Sequence, residues 1–95
     1  MAPSSREEAL ALLDAHHTFP GPFHFRVVIQ AGHGEAVAHA TRQALGPDAE
    51  VAIRERPSRK GNYESVRVTA HVPSSEAVLD VYDHLGRLDC TITLL

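Results

Sequence analysis

A single cysteine among 95 residues rules out an internal disulfide and leaves no thiolate cluster to hold a metal. Tryptophan is absent, and two tyrosines with three phenylalanines supply few rings on which nucleic-acid bases could stack. No apolar run approaches the ~20 residues that a bilayer-spanning helix needs. Basic residues are outnumbered as well. Nine Lys and Arg against twelve Asp and Glu give a net charge of −3, which withholds the overall positive field of a general nucleic-acid binder but leaves room for a local basic patch. Near the start, Glu7 and Glu8 fall where an export signal carries a basic and then an apolar segment, so a cytoplasmic location is expected.

What is present is the composition of one small globular domain, with 43% apolar residues to build a core and a length close to the roughly 100 to 150 residues typical of a domain. Ser5 with Glu8 three positions on forms a capping box before Ala9, Leu10, Leu12 and Leu13, which predicts a short peripheral helix. Phe19-Pro20-Gly21-Pro22 then stops any helix, because proline lacks an amide donor and forces its predecessor toward extended geometry. Residues 1–18 therefore read as a helical arm and linker, and residues 19–95 as the domain.

From Phe23 the chain alternates. Phe23, Phe25, Val27, Ile29 and Ala31 share one side, and His24, Arg26, Val28 and Gln30 the other, which predicts a half-buried strand. After Gly32-His33-Gly34, a helical face gathers Val37, Ala40, Thr41 and Ala44, and Gly46-Pro47-Asp48 ends it. Val51, Ile53 and Glu55 alternate with Ala52, Arg54 and Arg56 in a polar strand suited to a sheet edge. Beyond the turn at Pro57 to Gly61, Val66, Val68, Ala70 and Val72 line one side of a third strand, with Ser65, Arg67, Thr69 and His71 on the other. Ser74 is placed to cap a second domain helix with a Val78, Val81, Tyr82 and Leu85 stripe that stops at Gly86. Leu88, Cys90, Ile92 and Leu94 predict a last strand running to the carboxyl terminus.

Strand, helix, strand, strand, helix, strand is the order of a ferredoxin-like α+β sandwich. It predicts a four-stranded antiparallel sheet in the order 4-1-3-2, with both helices on one face and the other face uncovered.

The run Arg56-Pro57-Ser58-Arg59-Lys60-Gly61-Asn62-Tyr63-Glu64-Ser65-Val66, with Phe19-Pro20-Gly21-Pro22-Phe23 before it and Tyr82 to Asp89 after it, resembles the YbeD-like family of small bacterial proteins of unassigned function. The likeness extends from about Leu12 to Leu95. The family is similar in fold to the ACT regulatory domains, so the resemblance implies an ACT-like module of the kind that takes small molecules at subunit interfaces. Ala15-His16-His17-Thr18 and Gly32-His33-Gly34 depart from the family pattern and inherit no role from it.

The leading candidate site is the hairpin Ser58, Arg59, Lys60, Gly61, Asn62 and Tyr63, together with Arg67. Arg54, Arg56, Arg59, Lys60 and Arg67 crowd this stretch against only Glu55 and Glu64, and a glycine turn with adjacent amides suits a carboxylate or phosphate. A turn with solvated charges explains the same residues. The uncovered sheet face, with Arg26, Arg54, Arg56 and Arg67, offers RNA binding as the alternative function, although Tyr63 is the one aromatic near it. Seven histidines show no metal-ligand spacing; His16-His17 and the neighbours His24 and His71 are the best pairs, and an ion pair with Asp80 accounts for His84. Cys90 points to the core as an inert thiol.

These residues predict a non-enzymatic regulatory or interaction module with no cofactor and no membrane contact. Its expected partner is a protein or a small anionic ligand, and a homodimer through a sheet edge is open to it.

Overall fold

The computed structural model describes residues 5–95 and so omits the first four of the expected arm. Seven elements follow in order: α1 (Arg6–His16), β1 (Gly21–Gln30), α2 (Gly34–Leu45), β2 (Val51–Pro57), β3 (Tyr63–Val72), α3 (Ser75–Gly86) and β4 (Thr91–Leu94). The strands form one antiparallel sheet in the order β2-β3-β1-β4, which is the expected 4-1-3-2 read from the other edge. No described helix is long and apolar enough to cross a membrane.

The helix starts are held by the side chains that the sequence offers. Ser5 Oγ accepts from the Glu8 amide at 3.1 Å, and Ser74 Oγ accepts from the Ala77 amide at 3.3 Å, each satisfying an amide that has no partner within its helix. α1 lies against α3, where Arg6 and Asp80 form an exposed ion pair at 3.4 Å. That contact takes the carboxylate expected to pair with His84, whose Nδ1 instead lies 2.8 Å from the Asp80 carbonyl oxygen.

Period-two alternation on β1 and β3 builds the core. Phe25, Val27, Ile29, Val66, Val68, Ala70 and Val72 are buried on one side of the sheet, where they meet Val37 and Ala40 of α2 and Val78, Val81 and Leu85 of α3. Both domain helices cover this one face. Thr41 is fully buried but returns its hydroxyl to the Val37 carbonyl at 2.9 Å, so it adds volume without an unsatisfied polar atom. Phe25 sits 4.8 Å from the Phe23 ring and meets Tyr82 edge-on at 5.2 Å, joining β1 to α3 through aromatic contacts.

The last strand is shorter than its alternation predicts. Thr91 donates to the Leu88 carbonyl at 3.1 Å, and Cys90 turns its carbonyl to the Gln30 amide at 2.8 Å, so the chain reaches the sheet only at Thr91. Val28 then pairs with Thr93 and Ile29 with Thr91, which leaves Ile92 as an extra residue in a bulge and half exposed. Leu88 and Cys90 pack from the preceding turn rather than from the strand.

Phe25→Ala removes a ring that bridges strand and helix, and the expected cost is about 3–5 kcal/mol. Denaturant unfolding checks this, and a loss below about 1 kcal/mol would show that the aromatic cluster is not part of the main core.

Candidate functional site

The same alternation that fills the core puts Pro22, His24, Arg26, Val28 and Gln30 of β1 on the uncovered face. Tyr63, Ser65, Arg67, Thr69 and His71 of β3 and Ala52, Arg54 and Arg56 of β2 join them. No acidic residue stands among these strand positions. Pairing then sets the arginines in register: Arg26 lies directly opposite Arg67, and Arg67 directly opposite Arg54, a row of three across three strands. With neighbouring strands about 4.8 Å apart, the row spans roughly 10 Å. Arg56 stands two residues along β2 from Arg54 and completes a hollow of about 190 Å³ walled by Arg26, Arg54, Arg56, Ser65 and Arg67.

Like charges directly opposed on a sheet repel. None of these four guanidiniums has a carboxylate partner among the described residues, where Arg6–Asp80 is the ion pair formed. Each arginine therefore keeps a planar fork of donors directed at solvent, suited to phosphate or carboxylate oxygens. Beside the row, His24 Nδ1 and Thr69 Oγ1 are 2.8 Å apart. This contact follows from the register, which sets His24 opposite Thr69 and His71 opposite Pro22 instead of pairing the two histidines.

Of the seven residues singled out from the sequence, Ser58 to Asn62 form the β2–β3 turn and Tyr63 opens β3, and the turn is closed by its own groups. Ser58 N donates to the Tyr63 carbonyl at 2.8 Å, Gly61 N to the Ser58 carbonyl at 3.0 Å, and Tyr63 N to Ser58 Oγ at 3.2 Å. Gly61 adopts φ +77°, a left-handed conformation that glycine takes at little cost. The Asn62 carbonyl accepts from Ala31 N at 3.2 Å and ties the turn to the loop after β1. Arg59 and Lys60 extend outward from this turn. Arg67 lies on the open face with Tyr63, four residues farther along β3, so the structure joins Arg67 to the arginine row rather than to the turn amides.

A second charged locus lies on the covered side and was not picked out from the sequence. Glu64 is buried at 9% exposure, and its Oε1 has no hydrogen-bond donor. Glu55, diagonally across the β2–β3 ladder, directs its carboxyl to Glu64 and against Gly34, where a Cβ would overlap it. The hydrogen bond to Glu64, the Glu64 charge, burial and the Glu35 charge together hold the Glu55 carboxyl above its ordinary value of 4.5. When protonated, Glu55 can supply the donor that Glu64 lacks. On the far side of the core, burial pushes the Cys90 thiol up, as expected of an inert cysteine.

An antiparallel ferredoxin-like sandwich with an arginine-lined open sheet is the class of protein that these features define. A family model described as "Protein of unknown function (DUF493)" matches residues 14–95, and the chain belongs to that family. It is 35% identical over 74 residues to UPF0250 protein YbeD of Escherichia coli, covering 75% of this chain and 82% of the relative, and YbeD of Shigella boydii matches equally well. These matches bear out the YbeD-like resemblance. The solution structure of HP0495 from H. pylori superimposes with a TM-score of 0.72 at 13% identity, covering 87% of this chain and 92% of that one, a likeness of fold.

Because folding raises the Glu55 pKa, the pair's contribution is most favourable at low pH and is lost as pH rises through the elevated value. Glu55→Gln removes the repulsion while keeping a donor for Glu64. Thermal unfolding across pH should show the variant gaining on the parent above pH 4.5, with the gap closing below it. Parallel curves for the two proteins would dismiss the shared proton.

Proposed function

We propose that this chain is a small non-enzymatic regulatory or interaction module whose open sheet face receives an anionic partner, either a small ligand or an acidic protein segment. The observation that carries the reading is the row Arg54, Arg67 and Arg26, set side by side by strand register with no carboxylate to relieve it among the described residues. A repulsive row on a central part of the sheet is a local cost to the fold that a bound anion offsets. Arg59 and Lys60 on the adjoining turn extend the positive region toward the hairpin Ser58 to Tyr63. A cytoplasmic setting accords with a reduced, buried Cys90.

Self-association belongs to this reading through one edge. β4 carries no charge from Thr91 to Leu94 and leaves Ile92 and Leu94 exposed, whereas Arg54, Glu55 and Arg56 guard β2 against pairing with a second copy. RNA is the second reading. It draws on the same arginines, but Tyr63 is the one Tyr, Phe or Trp among the open-face strand positions, with His24 and His71 as the other rings, so base stacking has few platforms.

Inorganic tripolyphosphate titrated into the labelled full chain at low salt should shift the backbone resonances of Arg26, Arg54 and Arg67. Added salt should weaken binding, and Arg67→Ala should weaken it about tenfold, the loss of one charge-assisted contact. If these resonances stay still while the anion is raised to saturation of an arginine-rich control peptide, the face is not an anion receptor.

A further inference from the structure

We propose that the open face is a nucleotide site, with the polyphosphate on Arg26, Arg54, Arg56 and Arg67 and the base against Tyr63. This rests on the anion-receiving reading above and assigns the ligand class. The arginine hollow adjoins a second hollow of about 270 Å³, lined by Val28, Pro57, Ser58, Tyr63 and Glu64 and sharing Arg56 and Ser65 with the first. The walls of this second hollow are mostly apolar. Tyr63 is a large aromatic side chain left 49% exposed.

The two hollows ask for one ligand with two unlike ends. Along β3, Tyr63 precedes Ser65 and Arg67 on the same face, so the apolar and cationic halves stand in line at strand spacing, with about 6.6 Å between alternate residues. The charged half, roughly 10 Å across the row and about 7 Å along β2, has the reach of a short polyphosphate rather than of a single carboxylate. A planar base fits the other half by stacking on Tyr63 and contacting Val28 and Pro57. Aromatic stacking accepts any base, since each has a π-face, so the site should discriminate weakly between adenine and guanine. The other rings of this face, His24 (opposite Thr69) and His71, stand six and eight positions along β3 from Tyr63, so the base subsite holds one ring, which favours a free nucleotide over single-stranded RNA.

Calorimetry on the full chain at low salt, with ATP, GTP, inorganic tripolyphosphate and a uridine-rich single-stranded RNA, separates the possibilities. ATP and GTP should bind about fivefold tighter than tripolyphosphate, the margin expected of one stacked base. Tyr63→Ala should erase that margin and leave tripolyphosphate affinity unchanged, Tyr63→Phe should keep it, and Arg67→Ala should weaken all three anions. Heteronuclear spectra confirm that each variant is folded. Equal affinity for ATP and tripolyphosphate, insensitive to Tyr63→Ala, would overturn the nucleotide assignment and leave the anion reading standing. No binding by any of the three would remove both. RNA binding tighter than ATP would also overturn the assignment, in favour of a nucleic-acid interface.

Discussion

The pairing of β1 with β3 sets both halves of this molecule. Val27 opposite Val66 and Phe25 opposite Val68 bury the core side, and the intervening pair, Arg26 opposite Arg67, is thereby fixed on the open side. Side chains on a strand alternate with a period of two, so a slip of one residue would drive the arginines under the helices and the valines into water. The cost of burying an unpaired guanidinium makes that slip inaccessible. Hydrophobic burial on one face thus fixes the positions of charge on the other, without any contact among the arginines themselves.

β2 extends this logic to the edge of the sheet. Arg54 and Arg56 point to the open face while Glu55, between them, turns toward the helices. The same strand therefore completes the arginine row and supplies the carboxyl that meets Glu64 beneath the start of α2. Gly34 leaves room for that carboxyl at the positive end of the helix, where the backbone dipole favours negative charge. The Glu64 charge works against it. The outcome is a carboxyl held above its ordinary value rather than a simple helix cap. Positive and negative clusters are separated by the thickness of the sheet and cannot neutralise each other as ion pairs.

The architecture was legible because β1 and β3 alternate cleanly and because Ser5, Ser74 and Gly46 punctuate the helices where local chemistry requires. Membership of the open face was legible too, from the parity of Arg26, Arg54, Arg56 and Arg67 along their strands. Their alignment was not: which arginine faces which is a property of register, and register is set by long-range pairing. Glu64 reads in sequence as a polar flank of a valine-rich strand, and nothing local reveals that Glu55, nine positions earlier, is its neighbour. The Ser58 to Tyr63 stretch reads in sequence as a source of free amides, but several of them close the turn. β4 departed from its alternation because Thr91 begins the strand late and a bulge at Ile92 breaks the period.

Charge distribution bears on the size of what the open face admits. The chain carries −3 in all; set aside the four arginines of the hollow and the remainder carries −7. At physiological ionic strength fields decay over about 8 Å, less than the roughly 10 Å between packed layers, so a small anion on the sheet is governed by the arginines. A long polyanion running beyond the sheet edges meets the acidic remainder, including Glu7, Glu8 and Asp14 of α1 and Glu76, Asp80 and Asp83 of α3. Repulsion there offsets part of what the arginine row contributes. For the proposed site, the whole surface would therefore favour a compact anion, with the core-imposed register providing the attraction and the rest of the chain limiting its reach.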